Sequence, residues 1–469
     1  MAFSSNTFLF CFLPLMLLIY HAVRRELRGI ALLLGSYLFY AWAEPKALLV
    51  LIGVTGLSYG FALMIQRVRS TGRKHACVLL LAVALLLDIG ILAYFKYTNF
   101  LIEAINAITG KGIALRQIML PVGISFFVFQ SISYLVDVYR EKISADCNLI
   151  RVALYFGMFP KMTQGPIMRY ADMVDDLRSM ELQQGGLYEG VRRFIYGLTK
   201  KLLLADIIGE VADAIWGLEL SSLSTSLAWG GIIAYSLQIY FDFSGYSDMA
   251  IGLGRMFGFR LMENFKHPYI STSITEFWRR WHISLSTWFR DYIYIPLGGN
   301  RRGNQYFNLF MVFVVTGIWH GAAWTFIVWG LLHGVVRLVE KVLMDRKIHQ
   351  KIPVLIRWLA TTLVVMIGWV LFRAPSLDGA FGYLKAMIGL GGESPYTLGW
   401  YYNRKVLLLT VVAVLAAVPW KECFPKAWEQ WKDTYLLMWI ERVALVVMLV
   451  ICVILAMTST YTSFIYFQF

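Results

Sequence analysis

Charge is scarce in this chain. Of 469 residues only 15% are Asp, Glu, Lys or Arg, while 58% are hydrophobic, a balance outside that of soluble globular domains. Cysteine is scarce too. The five (Cys11, Cys77, Cys147, Cys423 and Cys452) are scattered without a C-x-x-C pair, which argues against a thiolate metal site or redox couple and leaves them as packing residues. There is no Walker-type phosphate loop and no metal-ligand spacing, so no metal is expected. There is no G-x-S-x-G elbow, which removes the usual serine-hydrolase reading.

Long apolar runs are what the chain has in quantity. They recur near 7–22, 29–43, 46–65, 76–95, 121–138, 149–160, 188–208, 226–250, 306–323, 324–343, 354–373, 405–420 and 441–460. Several are short, so the expectation is an all-α polytopic membrane protein with about ten to twelve crossings. Re-entrant or interfacial helices would complete a central cavity. No clear repeat or linker divides the chain, which is read as one membrane domain over 1–469.

The net charge of +14 could suggest nucleic acid, but basic residues collect at span ends and no nucleic-acid partner is expected. Arg24, Arg25 and Arg28 follow the first run, and Arg67, Arg69, Arg73 and Lys74 the third. The positive-inside rule makes both loops cytoplasmic and the N-terminus extracytoplasmic. Met1–Thr7 has no basic residue and no clear cleavage site precedes Arg24, so the first run is not expected to be a cleavable signal.

Three stretches break the apolar rhythm. Phe159-Pro160-Lys161-Met162-Thr163-Gln164-Gly165-Pro166 should interrupt a helix at membrane depth, where irregular backbone needs protein or a wet cavity around it. Gln238 to Asp248 places Asp242 and Asp248 at the end of an apolar run. Residues 275–302 are too polar to span and too aromatic for an ordinary loop.

As one helix, 277–290 would gather Trp278, Trp281, Leu285, Trp288 and Phe289 within roughly 100° of arc. Arg279, His282, Ser286 and Arg290 would fall within roughly 80° on the adjoining face, with Arg280 off both. Such a helix can lie at the interface, its arginines on lipid phosphates. It can equally line a cavity for an anionic substrate, because the arginine fork suits phosphate.

His320 lies within Thr316-Gly317-Ile318-Trp319-His320-Gly321-Ala322-Ala323-Trp324, with no charge near it in sequence. Ionisable groups inside membrane segments are functional candidates by default. Gly317 with Gly321, and Gly330 with Gly334, are small-xxx-small pairs that let helices approach closely. A continuous helix would hold His320 and His333 about 20 Å apart along its axis, so only one of them would be central. His333, near Arg337 and Lys341, reads as the solvated one. Histidine suits general-base work, and what remains is transfer between two bound substrates.

These residues resemble the membrane-bound O-acyltransferase family, in its bacterial branch of alginate O-acetylation proteins. The resemblance runs from Tyr37, Phe39, Tyr40 and Trp42 through Leu120–Phe126, Phe159–Tyr170 with Gln164-Gly165-Pro166-Ile167, and Asp242–Asp248. It continues with Phe277–Tyr294, Pro296-Leu297-Gly298-Gly299 and Trp319-His320-Gly321, the core motifs lying within 121–343. A lone W-H-G carries little, but the ordered set is specific. The resemblance implies His320 as the signature catalytic histidine and His282 as the second polar position. It implies an acyl thioester donor, commonly acetyl-coenzyme A, with no bound cofactor. The acceptor would be a hydroxyl of an exported polysaccharide, reached through an exported or membrane-anchored acetyltransferase partner, in a bacterial cytoplasmic membrane surrounded by lipid.

The sequence reading is therefore an O-acyltransferase. Arg279, Arg290 and less centrally Arg280 and Ser286 would hold the donor, Asp242 or Asp248 would orient polar groups, and Trp319 and Trp324 would flank His320. A transporter for polysaccharide or a lipid-linked precursor, and D-alanyl transfer to teichoic acid, are the alternatives.

Overall fold

The computed structural model describes residues 1–42, 44–432, 434–459 and 461. Among them every regular element is helical, and helices cover each of the expected apolar runs. The chain divides into two compact units. One comprises 1–194 with 249–262, the other 195–248 with 263–469.

The first unit contains α1 (Leu13–Ala22), α2 (Arg25–Ala41), α3 (Pro45–Ser70), α4 (Lys74–Thr109), α5 (Ile124–Tyr139), α6 (Leu149–Gly157), α7 (Phe159–Met162) and α8 (Tyr170–Ser179). Of these, α3 and α4 are long and apolar enough to cross a membrane. Asp88 lies within α4, where a carboxylate needs partners. Ser131 of α5 donates to it at 2.5 Å, and Ser131 is itself 2.6 Å from Ser58 of α3.

The Phe159–Pro166 stretch breaks as its prolines and glycine predict. Met158 is extended, α7 is a single turn, and residues 163–165 bend. The break is packed rather than loose. A Cβ on Gly165 would lie 2.4 Å from Lys161 Cα, and one on Gly123, whose φ is +77°, 2.4 Å from the Met162 carbonyl oxygen. Lys161 is buried, donating to Gln130 Oε1 at 3.0 Å and to the Tyr155 carbonyl.

The helices α9 (Gly186–Thr199) and α11 (Thr225–Met256) have residues in both units, while α10 is Ile207–Trp216. The second unit adds α12 (Ile274–Arg280), α13 (Ile283–Phe289), α14 (Gln305–His320), α15 (Trp324–Asp345), α16 (Val354–Arg373), α17 (Leu377–Lys385), α18 (Leu398–Tyr401), α19 (Arg404–Ala416), α20 (Trp420–Cys423), α21 (Pro425–Trp431) and α22 (Tyr435–Thr458). Here α16 and α22 have spanning length and hydropathy.

Its organising feature is the hairpin of α14 and α15. Extended backbone at Gly321 (φ −164°) and Ala323 (φ −148°) ends one helix and starts the other. The glycine pairs then meet each other. A Cβ on Gly317 would come within 3.0 Å of Gly330 Cα, and one on Gly330 within 2.6 Å of the Phe313 carbonyl oxygen. Backbones this close leave no space for side chains. The continuous helix considered for His320 and His333 is therefore replaced by a tight antiparallel pair.

Candidate active site

The stretch 277–290 is not one helix. Ser273 caps α12 by accepting from the Glu276 N–H, and the helix stops at Arg280. Trp281 is extended and His282 left-handed (φ +46°, ψ +54°) before α13 begins. The peptide groups freed by the break, which must find partners, bond to a segment upstream. Ile283 N–H donates to the Asn264 carbonyl at 2.9 Å, and Lys266 N–H to the Arg280 carbonyl at 2.9 Å.

That break redistributes the expected polar face. Arg279, Ser286 and Arg290 do line one cavity, of about 420 Å³, but His282 does not. Trp278, Leu285 and Phe289 line the same cavity, so the oily and cationic sides face one space. Thr275, Arg337 and Lys341 complete its polar wall, and Tyr294 and Asn300 also border it. None of these five is a site candidate from sequence; only Arg337 and Lys341, at a four-residue interval on a predicted helix, carry a signal there. Arg280 turns elsewhere, to Glu276 at 3.0 Å and the Lys266 carbonyl at 3.1 Å.

The cavity reaches Thr316, one helical turn before His320 and on the same face of α14. His320 is 3% exposed. Its ring lies 4.9 Å from Trp319, 4.9 Å from Trp329 and 5.2 Å from Phe372 between centroids. Trp324, expected beside it, stands at the start of α15 and is 57% exposed. Trp329 and Phe372 take the enclosing role, and no local pattern marked them.

His282 is fully buried. Its Nδ1 lies 3.2 Å from Asn264 Oδ1, which also accepts from the Ser284 N–H at 3.1 Å and the Ser284 hydroxyl at 2.9 Å. The Ser284 N–H can only donate, which identifies the Asn264 atom as oxygen. Nδ1 therefore carries the proton, and Nε2 is left as the acceptor nitrogen. The His282 ring packs on Phe243 at 4.8 Å and faces Trp319 at 6.5 Å. A left-handed non-glycine residue costs about 1–3 kcal/mol, sustained here by Asn264 and the packed rings.

His333 is buried at 2% exposure, not solvated as its position near Arg337 suggested. It packs on Trp329 at 4.8 Å and on Trp278 at 5.4 Å. Asp242 and Asp248 do not border the cavity. Lys201 pairs with Asp242 at 2.8 Å and Asp206 at 2.6 Å, and Lys200 with Asp248 at 2.7 Å.

Comparison with known proteins identifies a family and several relatives. The model of MBOAT, the membrane-bound O-acyltransferase family, matches residues 78–377. The chain is 47% identical to a probable alginate O-acetylase of Pseudomonas putida over 398 residues, 83% of this chain and 81% of that protein. It is 37% identical to a peptidoglycan O-acetyltransferase of Helicobacter pylori over 429 residues, 84% and 80% of the two chains. It is 31% identical to a teichoic acid D-alanyltransferase of Bacillus subtilis over 229 residues, 46% of this chain and 57% of that protein.

Proposed function

The chain belongs to the membrane-bound O-acyltransferase family, and from that premise we propose that it acts as one domain moving an acetyl group from a cytoplasmic thioester toward hydroxyls of an exported cell-surface polysaccharide. That it is an O-acyltransferase follows from the family and its relatives. The polysaccharide acceptor is drawn from the relatives named for alginate and peptidoglycan. An exported or membrane-anchored transferase would carry the group onward, from a bacterial cytoplasmic membrane with the N-terminus outside.

One observation carries the reading. The cationic cavity extends to Thr316, a turn from the buried His320. Arg279 would hold the phosphates of acetyl-coenzyme A there, since guanidinium forks match phosphate oxygens, and Arg290, whose fork is engaged by Asp291 at 2.7 and 3.2 Å, would assist. His320 would accept the proton of the attacking hydroxyl. The new C–O bond forms as the C–S bond breaks, and the thiolate leaves to be protonated. His282, fixed by Asn264, would position His320 through the Trp319 ring that lies between them.

The test is transfer of labelled acetyl from acetyl-coenzyme A by purified protein. His320→Ala should lower the rate about 10²–10⁴-fold at normal expression. Unchanged transfer in that variant overturns the mechanism, and movement of polysaccharide without thioester cleavage favours a transporter.

A further inference from the structure

Along α15 four residues recur at every fourth position: Trp329, His333, Arg337 and Lys341. Residues four apart on a helix are neighbours on its surface, so these form one stripe. Its inner end touches His320 through Trp329, at 4.9 Å between centroids. Its outer end, Arg337 and Lys341, lines the cationic cavity. His333 joins the two ends, packed on Trp329 at 4.8 Å and on the cavity residue Trp278 at 5.4 Å.

Arg337 is built in. Its Nη1 donates to Glu340 Oε2 at 2.7 Å and to the Thr275 hydroxyl. Glu340 in turn accepts from the Ile274 and Thr275 N–H groups at 2.7 and 2.9 Å, so one buried carboxylate fixes both Arg337 and the first turn of α12. A guanidinium has five N–H donors in a rigid fork. Among the described residues only Nη1 donates to protein acceptors, so the Nε/Nη2 edge is the one open to a ligand of the cavity that Arg337 lines. That edge has the geometry for two phosphate oxygens.

We propose that Arg337 is a donor-phosphate ligand of the cavity that reaches Thr316, one turn from His320. Eight residues of helix separate Arg337 from Trp329, about 12 Å of axial rise, so Arg337 stands well away from the ring that packs on His320. Lys341, paired with Asp345 at the outer end, adds charge there. The inference rests on the acyl-transfer reading above and adds to it the residues that select a phosphorylated donor.

Two donors separate the possibilities: acetyl-coenzyme A, and S-acetyl-N-acetylcysteamine, a thioester without phosphate. With full-length purified protein, Arg337→Gln should raise KM for acetyl-coenzyme A about tenfold or more, the loss of hydrogen bonds to a charged group. Its KM for the phosphate-free donor should change less, so that the ratio of the two KM values rises. Lys341→Ala, which leaves Glu340 and Thr275 untouched, should shift the same donor selectively and by less. Equal effects on both donors, or none on either, overturn the proposal. Coenzyme A binding by calorimetry needs no turnover. Weaker binding by Arg337→Gln is the expected result, and identical binding overturns the proposal.

Discussion

His320 and His333 both pack against the indole of Trp329, at 4.9 and 4.8 Å between ring centroids. A continuous helix would have set them about 20 Å apart along its axis. The turn at 321–323 folds α15 back along α14, and the glycines at 317 and 330 let the two backbones touch. The catalytic candidate and part of the cationic cavity wall are thereby brought onto one hairpin.

That hairpin should be sensitive to a single methyl group. Gly317→Ala puts a Cβ 2.5 Å from the Phe326 carbonyl oxygen and 3.0 Å from Gly330 Cα. We expect a loss of about 1–3 kcal/mol, the usual cost of overpacking, read as thermal unfolding in detergent, together with reduced acyl transfer. Gly53→Ala, with nothing within 4 Å of the added atom, is the control and should leave both unchanged.

Asn264 should prove a positioning residue. Asn264→Ala deprives the His282 Nδ1–H and both Ser284 donors of their acceptor, at about 1–3 kcal/mol for buried donors left unmade. Acyl transfer should fall with it. Asn264→Asp keeps an acceptor at that place and should recover most of the loss. Equal impairment in the two variants would show that tautomer control is not the role of Asn264.

The carboxylate at 242 should be structural. Asp242 and Asp206 share Lys201 in a buried cluster, so Lys201→Met strands two carboxylates at about 3–5 kcal/mol and should abolish folded protein in membranes. Asp242→Asn removes one of two like charges and should keep substantial acyl transfer. If it instead abolished transfer in well-folded protein, Asp242 would belong to the reaction.

Acid should loosen the loop after α5. Burial pushes the Asp146 carboxyl up, but hydrogen bonds from Arg151, from the Tyr170 hydroxyl and from the Asn148 N–H outweigh it and hold it below the usual carboxylate range. A native value below the unfolded one stabilises the fold above the unfolded pKa of about 3.9. That contribution fades as pH falls through the lower native value. Asp146→Asn, which cannot ionise, should be less stable near neutrality and lose less melting temperature between about pH 6 and pH 3. Parallel acid curves for the two proteins would exclude Asp146 as the source.

Much of the molecule was written in local pattern. Hydropathy alone placed the expected run at 354–373, which is α16 with the same ends. Prolines and glycine mark the break after Phe159, and Ser286 and Arg290 share a cavity wall because α13 and the turn after it stay near helical geometry, while Arg279 joins them from α12 across the break. His282 was misplaced for a tertiary reason. Nothing near Trp281 forbids a helix; the break exists because residues 264–266 accept and supply the hydrogen bonds that the helix gives up.

By itself the sequence determined the helical class, the apolar runs, the family motifs and the singling out of His320, since each depends on residue identity and short-range spacing. Only the tertiary structure decided which of these residues meet. The reversal at Gly321 brought His333 against Trp329 and Arg337 to the cavity wall, and the segment carrying Asn264 turned His282 out of that wall. Both outcomes depend on partners distant in sequence, whose contacts no local period encodes.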